Sequence, residues 1–94
     1  MGEVVVVQMK VHWSMPVSIT TRQRVVKVVR GPEDAHAVLM HAWPEGVRRD
    51  RFISAKRACI AALCGRQTPQ YARTMFVYAC QEARIPYREG DLPM

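Results

Sequence analysis

The spacing of apolar residues changes once along this 94-residue chain, at Gly31-Pro32. Before this point apolar and polar residues alternate with a period of two, which is typical of strands that bury one face. After it, apolar residues recur every three or four positions, which is typical of amphipathic helices. Because strands and helices occupy separate parts of the chain, the sequence predicts an α+β fold, a three-stranded antiparallel sheet followed by three helices.

The predicted strands are short and form an antiparallel meander. Pro16 separates the first from the second, since proline cannot donate to a ladder, and Arg22-Gln23 stands where the next turn is needed. β-branched valines indicate the third strand. The three strands are predicted over residues 4–13, 17–21 and 24–30.

The last two predicted helices form a helical hairpin. Asp50 is expected to cap the second helix, and Gly65 is expected to be the left-handed residue just after its end. Thr68 followed by Pro69 is a typical helix start. The link that begins at Gly65 is so short that the two helices must pack side by side. The three helices are predicted over residues 33–42, 50–64 and from 69 to the breaker Ile85-Pro86.

One domain is predicted, because the chain contains no repeat, linker or low-complexity tract. We expect a strand extension, a core and a flexible polar tail, over residues 1–13, 14–86 and 87–94 respectively.

The expected compartment is the cytoplasm. The valines near the N-terminus follow Glu3 with no Lys or Arg in front of them, so a signal peptide is not indicated. Three cysteines, Cys59, Cys64 and Cys80, all fall in predicted helices, which is typical of reduced thiols. No apolar run approaches the roughly 18 residues of a membrane span, so no membrane partner is expected.

No residue pattern in the chain matches a catalytic or metal site. Cys59 and Cys64 are five residues apart, about 140° around a helix axis, so they cannot share one metal ion, and His36 and His41 have the same spacing. Cys59 and Cys80 lie on apolar stripes expected to face the core, whereas Cys64 lies off the stripe and is expected to be partly exposed. The stripe of the second helix consists of Phe52, Ala55, Cys59, Ala62 and Leu63. We therefore expect a protein that is not an enzyme, with no catalytic residues, no metal and no cofactor.

Positive charge is concentrated in two segments. Lys and Arg number 14 against 8 Asp and Glu, a net charge of +6, and the excess lies in residues 22–30 and 48–66, whereas residues 31–47 carry only acids. Such a surface attracts acidic proteins or nucleic acid, although a simply solvated face is also consistent with it. The predicted basic surface consists of Arg22, Arg24, Lys27, Arg30, Arg48, Arg49, Arg51, Lys56, Arg57, Arg66 and Arg73.

Nucleic-acid binding is the alternative to a protein partner. Residues 61–71 have alanine and glycine spacing similar to that of a helix-turn-helix, with Gln70 and Arg73 at the start of the second helix. Arg66 and Thr74, however, stand where that motif has apolar residues. The sequence therefore leaves open whether an acidic protein, DNA or RNA is bound.

The run of valines near the N-terminus predicts self-association. An exposed edge strand formed by Val4, Val5, Val6 and Val7 can pair with a second copy, while a position inside the sheet is the alternative. The function expected from the sequence is that of a small cytoplasmic binding or regulatory protein that acts through a basic surface and forms a homodimer.

Residues 15–86 resemble the family of proteins of unknown function numbered 982, small proteins found in rhizobia and related alphaproteobacteria. The residues that carry the resemblance are Met15-Pro16-Val17, Arg24-Val25-Val26, Trp43-Pro44, Ala55, Cys59, Ala62-Leu63, Gly65, Ala72-Arg73, Phe76, Glu82-Ala83 and Ile85. The resemblance implies a short sheet followed by helices. It implies no activity, because the family has no established catalytic residues, and residues 1–13 precede the part that is similar.

Overall fold

The structure is a computed structural model that describes residues 11–21 and 23–90. The described part is a three-stranded antiparallel sheet packed with three α-helices, which confirms the predicted α+β class. A 3-10 turn at Glu45–Val47 lies between the first two helices. The elements are β1 Val17–Thr20, β2 Val26–Val29, α1 Pro32–His41, α2 Asp50–Leu63, α3 Pro69–Ala83 and β3 Tyr87–Glu89.

β1 is the central strand, in the order β2-β1-β3. The strands predicted over 17–21 and 24–30 correspond to β1 and β2, which pair antiparallel with Val17 opposite Val29. Of the strand predicted over 4–13, residues 11–13 are not in a strand, and the rest lies outside the described residues.

The third strand of the sheet follows the helices. The sequence predicts a flexible polar tail over residues 87–94, but Tyr87–Glu89 forms β3, with Ile19 of β1 opposite Tyr87. The amide of Gly90 donates to the carbonyl of Pro16 at 2.8 Å and extends this pairing. A strand of three residues has too few positions to show an alternating pattern, so the local sequence did not indicate it.

Local signals at the hairpin are confirmed. The Thr68 side chain accepts a hydrogen bond from the amide of Tyr71 at 3.1 Å, and Pro69 is the first residue of α3. Gly65 follows α2 with a φ of 79°, in the left-handed region that glycine adopts without steric cost. Asp50 is the first residue of α2 rather than its cap, a position that Arg49 occupies.

Aromatic rings connect the helices with the segment that leads into the sheet. The ring of Phe76 in α3 is fully buried, with its centroid 6.1 Å from that of Trp13 and 6.0 Å from that of Trp43. Trp13 also donates through Nε1 to the carbonyl of Pro69 at 2.8 Å.

The predicted helical hairpin is present, since α2 contacts α3 extensively. The small buried residues of these two helices are Ala55, Ala58, Cys59, Ala62, Ala72, Ala79 and Cys80.

Candidate binding surface

The predicted basic residues occupy two regions of the described structure. Arg24, Lys27 and Arg30 are exposed on β2 and beside it, and Arg22 lies outside the described residues. The second region is α2 with the segments before and after it, where all the cations are exposed except the half-buried Lys56. The cations of this second region are Arg48, Arg49, Arg51, Lys56, Arg57 and Arg66.

Arg73 does not belong to the basic surface. Only 8% of the residue is exposed, and its guanidinium forms an ion pair with Glu89, 2.7 Å from Nη1 to Oε1. Its Nε donates to the carbonyl of Met15 at 2.8 Å. The sequence placed Arg73 at the start of a recognition helix, but this side chain points into the protein, whereas Gln70 is exposed.

Two cations flank the ring of Phe52. The Arg48 guanidinium lies 5.7 Å from the ring centroid and the Lys56 ammonium 5.3 Å, within the range of cation–π attraction. Arg48 also donates to the carbonyl of Trp43 at 3.4 Å. Both side chains are therefore held partly against the protein. Arg49, at the cap of α2, and Arg57, within the helix, are exposed and have no such contact among the described residues.

Arg51 connects the start of α2 with the end of α3. Its guanidinium carbon lies 4.8 Å from the ring centroid of Tyr78, and its backbone amide donates to Glu82 at 3.1 Å. Glu82 thereby supplies an acceptor and a negative charge at the N-terminus of α2, where both are stabilising. Arg51 contributes to this helix contact as well as to the positive surface.

Aliphatic side chains lie between the cations on one face of α2. Ile53, Ile60 and Leu63 are 43%, 47% and 47% exposed. Because helix residues three, four or seven positions apart share a face, they lie beside the cations of the same helix. We call this surface the α2 outer face; it consists of Arg49, Ile53, Lys56, Arg57, Ile60 and Leu63.

The apolar part of the α2 outer face was not predicted from the sequence. The helical period predicts that Leu63 belongs to the buried stripe, whereas the structure exposes it. Ile53 and Ile60 were detectable in the sequence, because two isoleucines seven residues apart lie off that stripe.

The thiols lie where the helical pattern placed them. Cys59 and Cys80 are buried, and burial raises the pKa of each to about 12, so both are protonated at neutral pH. Cys64 is exposed at the end of α2. Within residues 11–21 and 23–90, no three His, Cys, Asp or Glu side chains are grouped as metal ligands.

A family described as "Protein of unknown function (DUF982)" matches residues 15–87. The chain belongs to the DUF982 family. The DUF982 match includes α1, α2 and α3 and the whole α2 outer face, whereas Val4–Val7 precede it. No curated protein and no solved structure matches the chain. None of the described helices in this DUF982 protein is long and apolar enough to cross a membrane.

Proposed function

We propose that this DUF982 protein is a non-enzymatic binding protein whose α2 outer face docks an acidic, amphipathic segment of a partner protein. The observation that carries the proposal is the mixture of exposed Ile53, Ile60 and Leu63 with cations on one helix face. The partner segment would supply carboxylates to Arg49, Lys56 and Arg57 and apolar side chains to the aliphatic residues between them.

The dimensions of α2 suit this kind of partner. Its 14 residues span about 21 Å, enough to face several turns of a partner helix. Asp50 is the only acidic residue of α2, so the electrostatic potential along the α2 outer face is positive. A positive potential favours encounter with an acidic segment. Apolar contact at the centre of the α2 outer face then slows dissociation of the partner, because dissociation exposes Ile53 and Ile60 to water again.

The aliphatic residues favour a protein over nucleic acid. Phosphate recognition draws its affinity from Lys and Arg, and a phosphate backbone offers no apolar surface for Ile53 or Ile60. Nucleic acid is the second candidate, supported by the exposed cations Arg24, Lys27, Arg30, Arg57 and Arg66. Binding of that kind would weaken steeply as salt is added.

Site-specific photo-crosslinking distinguishes the two candidates. Ile60 is replaced by p-benzoylphenylalanine in the full chain, the protein is expressed in its native cells, and the cells are irradiated. Ala37, exposed on α1, receives the same replacement as the matched control. We expect an adduct with an acidic protein from position 60 only, unchanged by nuclease and lost in the variant that also carries Arg57→Glu.

Two results contradict the protein-partner proposal. An adduct that nuclease removes would assign the surface to nucleic acid. The same adduct in equal yield from positions 37 and 60 would show that the α2 outer face does not bind the partner selectively. A salt titration with mixed-sequence duplex DNA tests the second candidate, which is excluded if no binding occurs at about 50 mM salt.

Self-association stays a prediction, because Val4–Val7 lie outside the described residues. The α2 outer face does not suit a symmetric contact, since two copies would oppose like charges. Size-exclusion chromatography with light scattering tests it: a dimer that Val5→Lys and Val7→Lys convert to a monomer supports self-association through this segment. A monomer at tens of micromolar for the unaltered protein contradicts it.

A further inference from the structure

A second surface feature, separate from α2, is a pocket of about 400 Å³. It lies where the β1–β2 turn meets the ends of α1 and α3. Its walls are largely apolar, with Ile19, Val38, Trp43 and Ile85 among the residues that line it. This volume is within the range of about 300 to 1,000 Å³ that is usual for small-molecule sites. No residue of the α2 outer face lines it.

Two arginines line the same pocket, and both have left-handed backbone conformations. Arg24 has a φ of 62° and Arg84 a φ of 57°, and they are the two non-glycine residues with positive φ in the described chain. Glycine fits such positions without steric cost, whereas a residue with a Cβ is disfavoured there. Backbone strain of this kind concentrates at ligand sites, so the presence of arginine at both positions calls for an explanation.

No acidic side chain of the described pocket lining pairs with these arginines. None of the described residues that line the pocket is acidic, and within the described chain neither guanidinium forms an ion pair. Arg84 directly follows α3, where a cation also stabilises the carbonyl end of the helix. Arg24 lies in the β1–β2 turn rather than at a helix end, and its backbone amide closes the turn by donating to the carbonyl of Thr21 at 2.9 Å.

Trp43 provides an independent observation. This residue is 3% exposed and lines the pocket, and its buried Nε1–H has no acceptor among the described residues. Buried indole N–H groups usually find a partner, as Trp13 does with Pro69. The pocket therefore combines two arginines that have no carboxylate partner among the described residues with an apolar wall that includes Trp43.

We propose that this pocket binds a small organic carboxylate with an apolar body. The apolar body would pack against Ile19, Trp43 and Ile85, and the carboxylate would pair with Arg24 and Arg84, whose planar guanidinium groups suit its two oxygens. The helices that end at this pocket, α1 and α3, direct the negative ends of their dipoles toward it, which opposes any anion and opposes a phosphate dianion more than a carboxylate. The attraction for the carboxylate must therefore come from Arg24 and Arg84.

NMR titration of the full chain, labelled with ¹⁵N, tests the proposal with n-octanoate as the probe. Octanamide, of the same length and without charge, is the matched control ligand. The two tryptophan indole signals are assigned with Trp13→Phe. We expect octanoate to shift the Trp43 indole signal saturably, to leave that of Trp13 in place, and to bind at least about tenfold more tightly than octanamide.

Glycine substitutions locate the charge recognition. Arg24→Gly and Arg84→Gly remove the guanidinium groups while keeping the left-handed backbone, and each is expected to weaken octanoate binding while octanamide binding stays the same. Arg66→Gln, an exposed cation outside the pocket, controls for net charge and should change neither affinity.

The comparison of octanoate with octanamide on the unaltered protein tests whether the pocket recognises the carboxylate, even if a variant does not fold. Equal affinities for octanoate and octanamide would overturn the proposal. So would a Trp43 signal that does not move at millimolar octanoate, or the double glycine variant binding octanoate as tightly as the unaltered protein. None of these results depends on the α2 outer face, so the pocket and the proposed protein interface are tested separately.

Discussion

The guanidinium of Arg73 in α3 and the carboxylate of Glu89 in β3 form an ion pair, 2.7 Å from Nη1 to Oε1. The same guanidinium group donates through Nε to the carbonyl of Met15, just before β1. One side chain thus joins the last helix, the last strand and the segment that enters the central strand. This contact explains why Arg73 is buried and how the three-residue β3 is held in place.

Replacing Glu89 is expected to weaken the fold moderately. Glu89→Gln leaves the buried Arg73 guanidinium without its charged partner, and we expect the free energy of unfolding to fall by about 1 to 2 kcal/mol. The loss is limited because the Glu89 side chain is 45% exposed and water screens part of the pair. Urea unfolding measures it. Arg88→Gln, at the exposed neighbour in β3, is the control and should change stability by less than about 0.5 kcal/mol. Equal losses of unfolding free energy in Glu89→Gln and Arg88→Gln would show that the ion pair adds nothing to stability.

Gly31 is expected to tolerate no side chain. A Cβ at this position would overlap the carbonyl oxygen of Val11 and crowd the Cα of His12. Gly31→Ala must therefore displace backbone, and we expect it to lower the unfolding free energy by about 1 to 3 kcal/mol. Gly46→Ala is the matched control, because a Cβ there has nothing within 4 Å and should change stability by less than about 0.5 kcal/mol. A melting temperature for Gly31→Ala no lower than that of the control would contradict this close approach.

Thr68 is expected to matter for the start of α3. Thr68→Ala removes the acceptor for the amide of Tyr71, and the expected cost is about 1 kcal/mol in unfolding free energy. Thr74→Ala deletes the same hydroxyl in mid-helix, where it bonds only to the carbonyl of Gln70 one turn earlier. Alanine has the higher helix propensity, so this control should be neutral or slightly stabilising. Chemical unfolding measures the unfolding free energy of both variants. If Thr74→Ala is as destabilising as Thr68→Ala, a capping effect is ruled out.

The buried thiols are expected to make the fold sensitive to alkali. Burial raises the pKa of Cys59 and Cys80 from 9.0 to about 12. Between these values the unfolded chain loses both protons while the folded protein keeps them, so stability falls as pH rises from 9 towards 12. Each thiol contributes at most about 1.4 kcal/mol of this loss per pH unit.

The variant with Cys59→Ala and Cys80→Ala should be less stable at pH 7 but should lose less stability between pH 8 and about 10.5 in urea titrations. Parallel pH profiles for the two proteins would contradict this origin.

The ends of the helical hairpin could be predicted because their signals are local. Gly65 takes the left-handed conformation and Thr68 caps α3, each for reasons contained within a few residues. The same holds for the buried faces of α2 and α3, where the spacing of alanine and cysteine follows the helical period. Leu63 fits that period less well, at the end of the helix, and there the prediction of burial was wrong.

The candidate sites could be predicted only in part. Exposed arginines around α2 were expected from the charge distribution, but the aliphatic residues that separate them were not. The pocket could not be predicted from sequence, because its walls come from β1, α1 and α3, and its arginines belong to two unrelated turns.

By itself, the sequence determined the position of the change from strands to helices, the hairpin between α2 and α3, and membership of the DUF982 family. Each depends on residue types and spacings that act over a few positions. Only the tertiary structure decided that β3 completes the sheet and that Arg73 is buried. Arg73 bonds to Met15, 58 positions away in the chain, and pairs with Glu89 of the strand beside β1. Whether an arginine is solvated or buried depends on such distant partners, which chain order does not reveal.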